Sequence, residues 1–152
     1  MIDDLSCATL VENAIRWARA QIGSAAYPFR CLAFVEDAYE IANDIEIFGG
    51  STAKESVDSY RLTADGLPPA GAFVFYDCFG TLFDRYQNWG HVGLSLGDGR
   101  VIHAWDQVRI DGCRAVETLA GAPGWTSPRY LGWAGADQIL RGHRRRDSAG
   151  CA

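Results

Sequence analysis

The hydrophobic period changes once along this chain, and that change limits the fold more than any other feature. Before the cluster Leu67-Pro68-Pro69-Ala70-Gly71 the apolar residues recur at helical spacing; after it they recur every second residue. Leu10, Ala14, Trp17, Ala18 and Ile22 share one helical face over Thr9 to Ile22, and Gly23 ends the run. A connector containing Tyr27-Pro28-Phe29 leads to a second helix expected from about Cys31 to Ala42, with Leu32, Val35, Ala38 and Tyr39 on one side. Thr52-Ala53-Lys54-Glu55 has the form of a capping box and opens a short helix toward Tyr60. Beyond the cluster, Ala72 to Tyr76 reads as a strand and residues 78–88 as a polar-aromatic loop. His91 to Leu96 and Arg100 to Trp105 form a hairpin through Gly97-Asp98-Gly99, with further strands at Gln107 to Ile110 and Tyr130 to Ala134. Helices first and antiparallel hairpins second predict an α+β fold.

At 152 residues the chain reads as a single domain over 1–141 followed by a basic tail over 142–152. Its net charge of −5 is unevenly spread: residues 1–140 carry ten Arg or Lys against eighteen Asp or Glu. An acidic body argues against nucleic acid as a partner, because such binders draw most of their affinity from phosphate neutralisation. The tail, with Arg144-Arg145-Arg146, reads as a solvated end or as a segment docking on something acidic. No run approaches the ~20 apolar residues of a membrane span, and the acidic start Met1-Ile2-Asp3-Asp4 lacks the form of a signal peptide. The expectation is a cytoplasmic protein with no membrane partner, unless a dedicated route exports it. The sequence says nothing of its oligomeric state. Cys7, Cys31, Cys78, Cys113 and Cys151 make no CxxC pair and leave an odd thiol, so they read as isolated thiols rather than a disulfide framework or zinc site.

One of those thiols stands where chemistry could occur. Cys31 sits at a helix start, where first-turn N–H groups and the neighbouring Arg30 would favour thiolate. A thiol nucleophile needs a proton acceptor, and histidine is the usual one at neutral pH. Of three histidines His143 lies in the tail, whereas His91 and His103 flank the Gly97-Asp98-Gly99 turn. A turn centred on Asp98 sets them about one diagonal step apart across the hairpin, close enough for one imidazole to orient the other. A buried helix-start thiol and a core histidine would look the same at this level. Trp89 and Trp105 beside the histidines either line a substrate groove or cap the sheet edge. Asp106 and Asp111 read as solvated loop carboxylates, the alternative being contact with a cationic substrate group.

The order and wording of three blocks resemble the NlpC family of papain-like cell-wall cysteine peptidases. The blocks are Cys31-Leu32-Ala33-Phe34-Val35-Glu36-Asp37-Ala38-Tyr39, Pro69-Ala70-Gly71-Ala72-Phe73-Val74-Phe75-Tyr76, and the stretch from Gly90 to Ala104 with its Gly-His-Val-Gly and Ile-His-Ala words. Together they cover about a fifth of the chain, and the last is the most specific. The resemblance implies a papain-like fold, N-terminal helices on a C-terminal antiparallel sheet, with Cys31 as nucleophile, His91 as base and His103 as its orienter. It implies a peptide or peptidoglycan-fragment substrate and no metal or organic cofactor. Tyr27 is the oxyanion donor it suggests, and the Cys31 backbone N–H would be the second; Arg30, Trp89 and Trp105 are further candidate substrate-side residues. Two departures stand out. Arg30 and Leu32 occupy places where wall-active members usually carry Asp before the Cys and Ser-Gly after it. Tyr27 stands four residues ahead of the Cys with no Gly-Gly between. The expected reaction is amide hydrolysis through an acyl-enzyme, the alternatives being acyl or amide transfer by the same three residues, or an inactive relative that binds peptide.

Overall fold

Ser6 opens the first helix: its hydroxyl accepts from the Thr9 backbone N–H, and α1 runs over Cys7–Ala20. The computed structural model describes residues 6–146. The acidic start Met1–Asp4, Cys151 and the tail beyond 146 therefore lie outside the described residues. The helix ends before Gln21, earlier than the apolar spacing predicts. Leu10, Ala14 and Ala18 are buried against α2, Cys31–Asn43, whose Leu32, Phe34, Val35, Ala38 and Tyr39 are buried in turn. A two-residue strand β1 (Ile45–Glu46) and a short helix α3 (Ala53–Val57) complete the helical part. Thr52 caps α3 by accepting from Glu55 N–H. The Glu55 carboxylate reaches one residue further back than a capping box requires, to Ser51 N–H and Oγ.

The strand part holds β2 (Phe73–Asp77), β3 (Phe79–Leu82), β4 (Arg85–Asn88), β5 (His91–Ser95), β6 (Arg100–Ala104), β7 (Val108–Gly112) and β8 (Arg129–Ala134), then a short helix α4 (Ala136–Ile139) and β9 (Arg144–Arg145). Five strands form one antiparallel sheet in the order β7-β6-β5-β2-β8. The period-two pattern sorts their side chains. Phe73, Phe75, Val92, Leu94, Ile102 and Ala104 face α1 and α2 in the main core, while Val74, Tyr76 and Val101 face a second, smaller cluster with Cys113 and Val116. This is the expected α+β arrangement, helices on one face of an antiparallel sheet.

Three features differ from the sequence reading. Residues 78–88 are a hairpin, β3 with β4, rather than a loop. The third expected strand extends past Ile110 to Gly112. Part of the expected tail is structured: Arg144 and Arg145 pair with Glu46 and Ile45, and the guanidinium groups of Arg144 and Arg146 reach Glu46 and Glu40 at 3.2 and 3.6 Å. The acidic surface this basic segment meets belongs to its own chain. Among the described residues no helix is long and apolar enough to cross a membrane, and Cys7, Cys31, Cys78 and Cys113 are all free thiols.

Candidate active site

Two sets of contacts bring the helix start to the sheet. The connector after α1 is stitched to the edge strand, Gly23 N–H donating to Val108 C=O and Val108 N–H to Ser24 C=O, both at 2.9 Å. The chain then passes through Phe29 in the left-handed region (φ 56°), with its ring 5.1 Å from that of Trp125, and turns directly into α2 at Cys31. On the sheet side, Lys54 N–H at the start of α3 donates to Trp89 C=O. Gly90 follows at φ +76°, where an added Cβ would stand 2.7 Å from the Lys54 nitrogen. Only glycine lets the backbone pass this close and enter β5 at His91.

Cys31 is half-buried, with the backbone N–H groups of Val92, Leu32 and Cys31 itself acting on its sulfur. Val92 is the chain neighbour of His91, so the thiol sits at the first residues of β5. The sequence leads one to expect a thiol poised as thiolate. Burial instead pushes Cys31 up to about 11, outweighing the three amides. Arg30 gives no help there, for its guanidinium lies 5.7 Å over the Tyr27 ring and its side chain is exposed.

The two histidines meet as the hairpin register implies. Leu94 pairs with Ile102 and Ser95 with Val101, which sets His103 across from Gly93 and one diagonal step from His91. Their rings touch, His91 Nε2 to His103 Nδ1 at 2.8 Å. Gly93 makes room for this, because a Cβ there would lie 3.2 Å from the His103 Cβ. Both rings are almost fully buried, and burial first, then the neighbouring His103, hold His91 well below the usual imidazole range. Burial also lowers His103, opposed by a carboxylate that reads as solvated in the sequence. That carboxylate is Asp111, with Oδ2 2.7 Å from His103 Nε2 and its side chain 14% exposed. It lies on β7 beside Arg109, whose Nε and Nη2 donate to its two oxygens at 2.8 and 3.2 Å. Continuing the alternation of β7 by one residue would have put Asp111 on the histidine face. Asp106 is exposed and contacts Arg109.

The remaining expected residues fall into two groups. Trp105 packs edge to face on His91 with centroids 5.0 Å apart, and Trp89, half-buried, donates its indole N–H to Gly80 C=O. Trp105 thus flanks the histidine pair, whereas the Trp89 ring packs on Phe83. Tyr27 does not stand free for an oxyanion: its hydroxyl donates to Asp37 Oδ2 at 2.7 Å, which spends its one proton within the protein. An open polar groove of about 740 Å³ lies elsewhere, lined by Asp58, Tyr60, Arg61, Asp137 and Gln138. It includes neither Cys31 nor His91 nor His103. Among the described residues no group of three or more His, Cys, Asp or Glu side chains is arranged to hold a metal.

A family model described as the NlpC/P60 family matches residues 16–121. The P60 domain of a Mycobacterium avium paratuberculosis antigen has a similar fold, with a TM-score of 0.52 at 13% identity, over 86% of this chain and 100% of that one. A Staphylococcus aureus protein of the NLP/P60 family, similar to a lipoprotein, gives a TM-score of 0.52 at 17% identity, over 88% of this chain but 42% of its own length. Mycobacterium tuberculosis RipD, described as a non-catalytic NlpC/p60 domain protein adapted to peptidoglycan binding, gives 0.48 at 15% identity, over 80% and 96%. No curated protein matches the chain. At such identities the likeness to solved structures speaks to the fold, which is papain-like α+β.

Proposed function

The chain belongs to the NlpC/P60 family, generally peptidoglycan hydrolases, and from that premise we propose that it is a cysteine hydrolase cleaving an amide bond of a wall stem peptide. The observation that carries this reading is the His91–His103 pair at 2.8 Å beside a helix-start cysteine. His103 occupies Nε2 of His91, which leaves Nδ1 to receive a proton. In the proposed reaction the Cys31 sulfur attacks the carbonyl carbon while its proton passes to His91. The C–N bond then breaks, and His91 returns that proton to the departing amine. Water, deprotonated by the same imidazole, attacks the thioester, and the sulfur leaves and regains its proton. Tyr27 is committed to Asp37, so the backbone N–H of Cys31 is the donor this reading assigns to the oxyanion, turning from the sulfur as the thioester forms. Because burial keeps both thiol and imidazole neutral at rest, proton transfer belongs to the attack itself rather than to a preformed ion pair.

That same neutrality favours a second reading, a module that binds stem peptide without turning it over. One experiment separates the two. Soluble muropeptides are incubated with the wild type and with Cys31→Ala, and products are read by chromatography and mass. Hydrolysis expects new amine and carboxyl ends with the wild type and none with Cys31→Ala. Binding of intact muropeptide to both proteins, with no products from either, would replace hydrolysis by recognition. Hydroxylamine in the reaction would reveal acyl transfer as a hydroxamate adduct.

A further inference from the structure

The Asp111 carboxylate adds a third member to the buried contact between the histidines, and the order of donors along that line admits one arrangement of protons. Arg109 donates to both Asp111 oxygens, so both act as acceptors. His103 Nε2, at 2.7 Å from Oδ2, must then carry a hydrogen. A neutral His103 with its proton on Nε2 has only a lone pair on Nδ1, so it accepts from His91. His91 Nε2 is in consequence the protonated nitrogen, and Nδ1 is left with its lone pair. We propose that Asp111, held by Arg109, is a positioning residue that fixes the tautomer of His91 through His103, so that the base meets the Cys31 thiol with an empty nitrogen.

The reading of the lone pair as a base rests on the proposed hydrolysis; the tautomer assignment does not. Three adjacent strands make the line rigid. His91 on β5, His103 on β6 and Asp111 on β7 each stand one diagonal step from the last, since His103 pairs with Arg109 and Asp111 with Val101. A buried imidazole pair without such an anchor could hold its protons either way round, and one of the two ways would present an N–H to the thiol. The wrong tautomer disables a base even when its position is unchanged.

The test is a long-range ¹H–¹⁵N correlation spectrum of the full ¹⁵N-labelled chain at pH 7.5, where the three histidines are resolved by single His→Gln variants. His143 serves as an internal contrast, because its Nδ1 lies 2.6 Å from Leu140 C=O and must be the protonated nitrogen there. The expected wild-type spectrum shows His91 and His103 both protonated at Nε2 and His143 at Nδ1. Asp111→Leu keeps the branched shape of the side chain and removes both acceptors. It is expected to abolish the single tautomer at His91 and lower kcat on muropeptides on the order of 10²-fold, with KM within about twofold. Asp111→Ala is the substitute should the leucine variant not fold, and the wild-type spectrum stands without either. An Nδ1–H signal for His91 in the wild type, or a His91 tautomer and kcat unmoved in a folded Asp111 variant, overturns the proposal. The expected tautomers with no Cys31-dependent cleavage would leave the relay in place and remove hydrolysis instead.

Discussion

At the residue scale the site is governed by a contest between burial and local donors. Cys31 begins a helix and three amides act on its sulfur, yet desolvation pushes the thiol up to about 11 from an ordinary 9.0. His91, lowered well below 6.5, carries no charge at neutral pH that could offset this. The sign for reactivity follows. Alkylation proceeds through thiolate, so its rate at Cys31 should climb with pH through about 8 to 10 with no plateau near neutrality. His91→Ala should leave that alkaline rise where it is, because a neutral imidazole contributes no charge to remove. Iodoacetamide labelling followed by peptide mass spectrometry across that range checks both statements. A plateau below pH 8 that disappears in His91→Ala would mean an ion pair at rest.

At the element scale the approach of α3 to the start of β5 sets where His91 stands. Gly90→Ala would combine a left-handed backbone with a Cβ 2.7 Å from the Lys54 nitrogen, and backbone cannot yield as a side-chain tip can. Urea unfolding should show a loss of about 1–3 kcal/mol, and turnover should fall as His91 moves with its strand. Much of this scale is legible in the sequence. The helical period gives α1 and α2, and the Gly97-Asp98-Gly99 turn gives the diagonal meeting of His91 and His103. The β3–β4 hairpin is not legible, for physical reasons. Its strands are largely exposed, their one fully buried position is Gly80 with no side chain to mark it, and its turn places Phe83 and Asp84 at φ 54° and 60°, where glycine or asparagine is the usual signal. Asp111 escapes because a carboxylate near a turn reads as solvated. Its burial depends on Arg109 beside it and on His103 across the ladder, contacts that appear only once β7 is carried to its end.

At the scale of the whole molecule, the strand order β7-β6-β5-β2-β8 divides near neighbours from distant ones. β5, β6 and β7 follow one another over residues 91–112 as a meander, whereas β2 must find β8 across the length of that meander and more. Local pairings close small loops and tend to form early; distant ones wait for larger losses of chain entropy. Pulsed hydrogen exchange during refolding should protect the amides paired within β5–β7 before those paired between β2 and β8, and simultaneous protection of the two would contradict this order. His91, His103 and Asp111 all belong to the meander, while Cys31 arrives from the other half of the chain. The proton path is thus a property of one local segment, and the sulfur joins it only where α2 packs on the sheet. A refolding chain would complete its base before its nucleophile, and partial unfolding of α2 would silence the pair by separation while leaving the histidines joined.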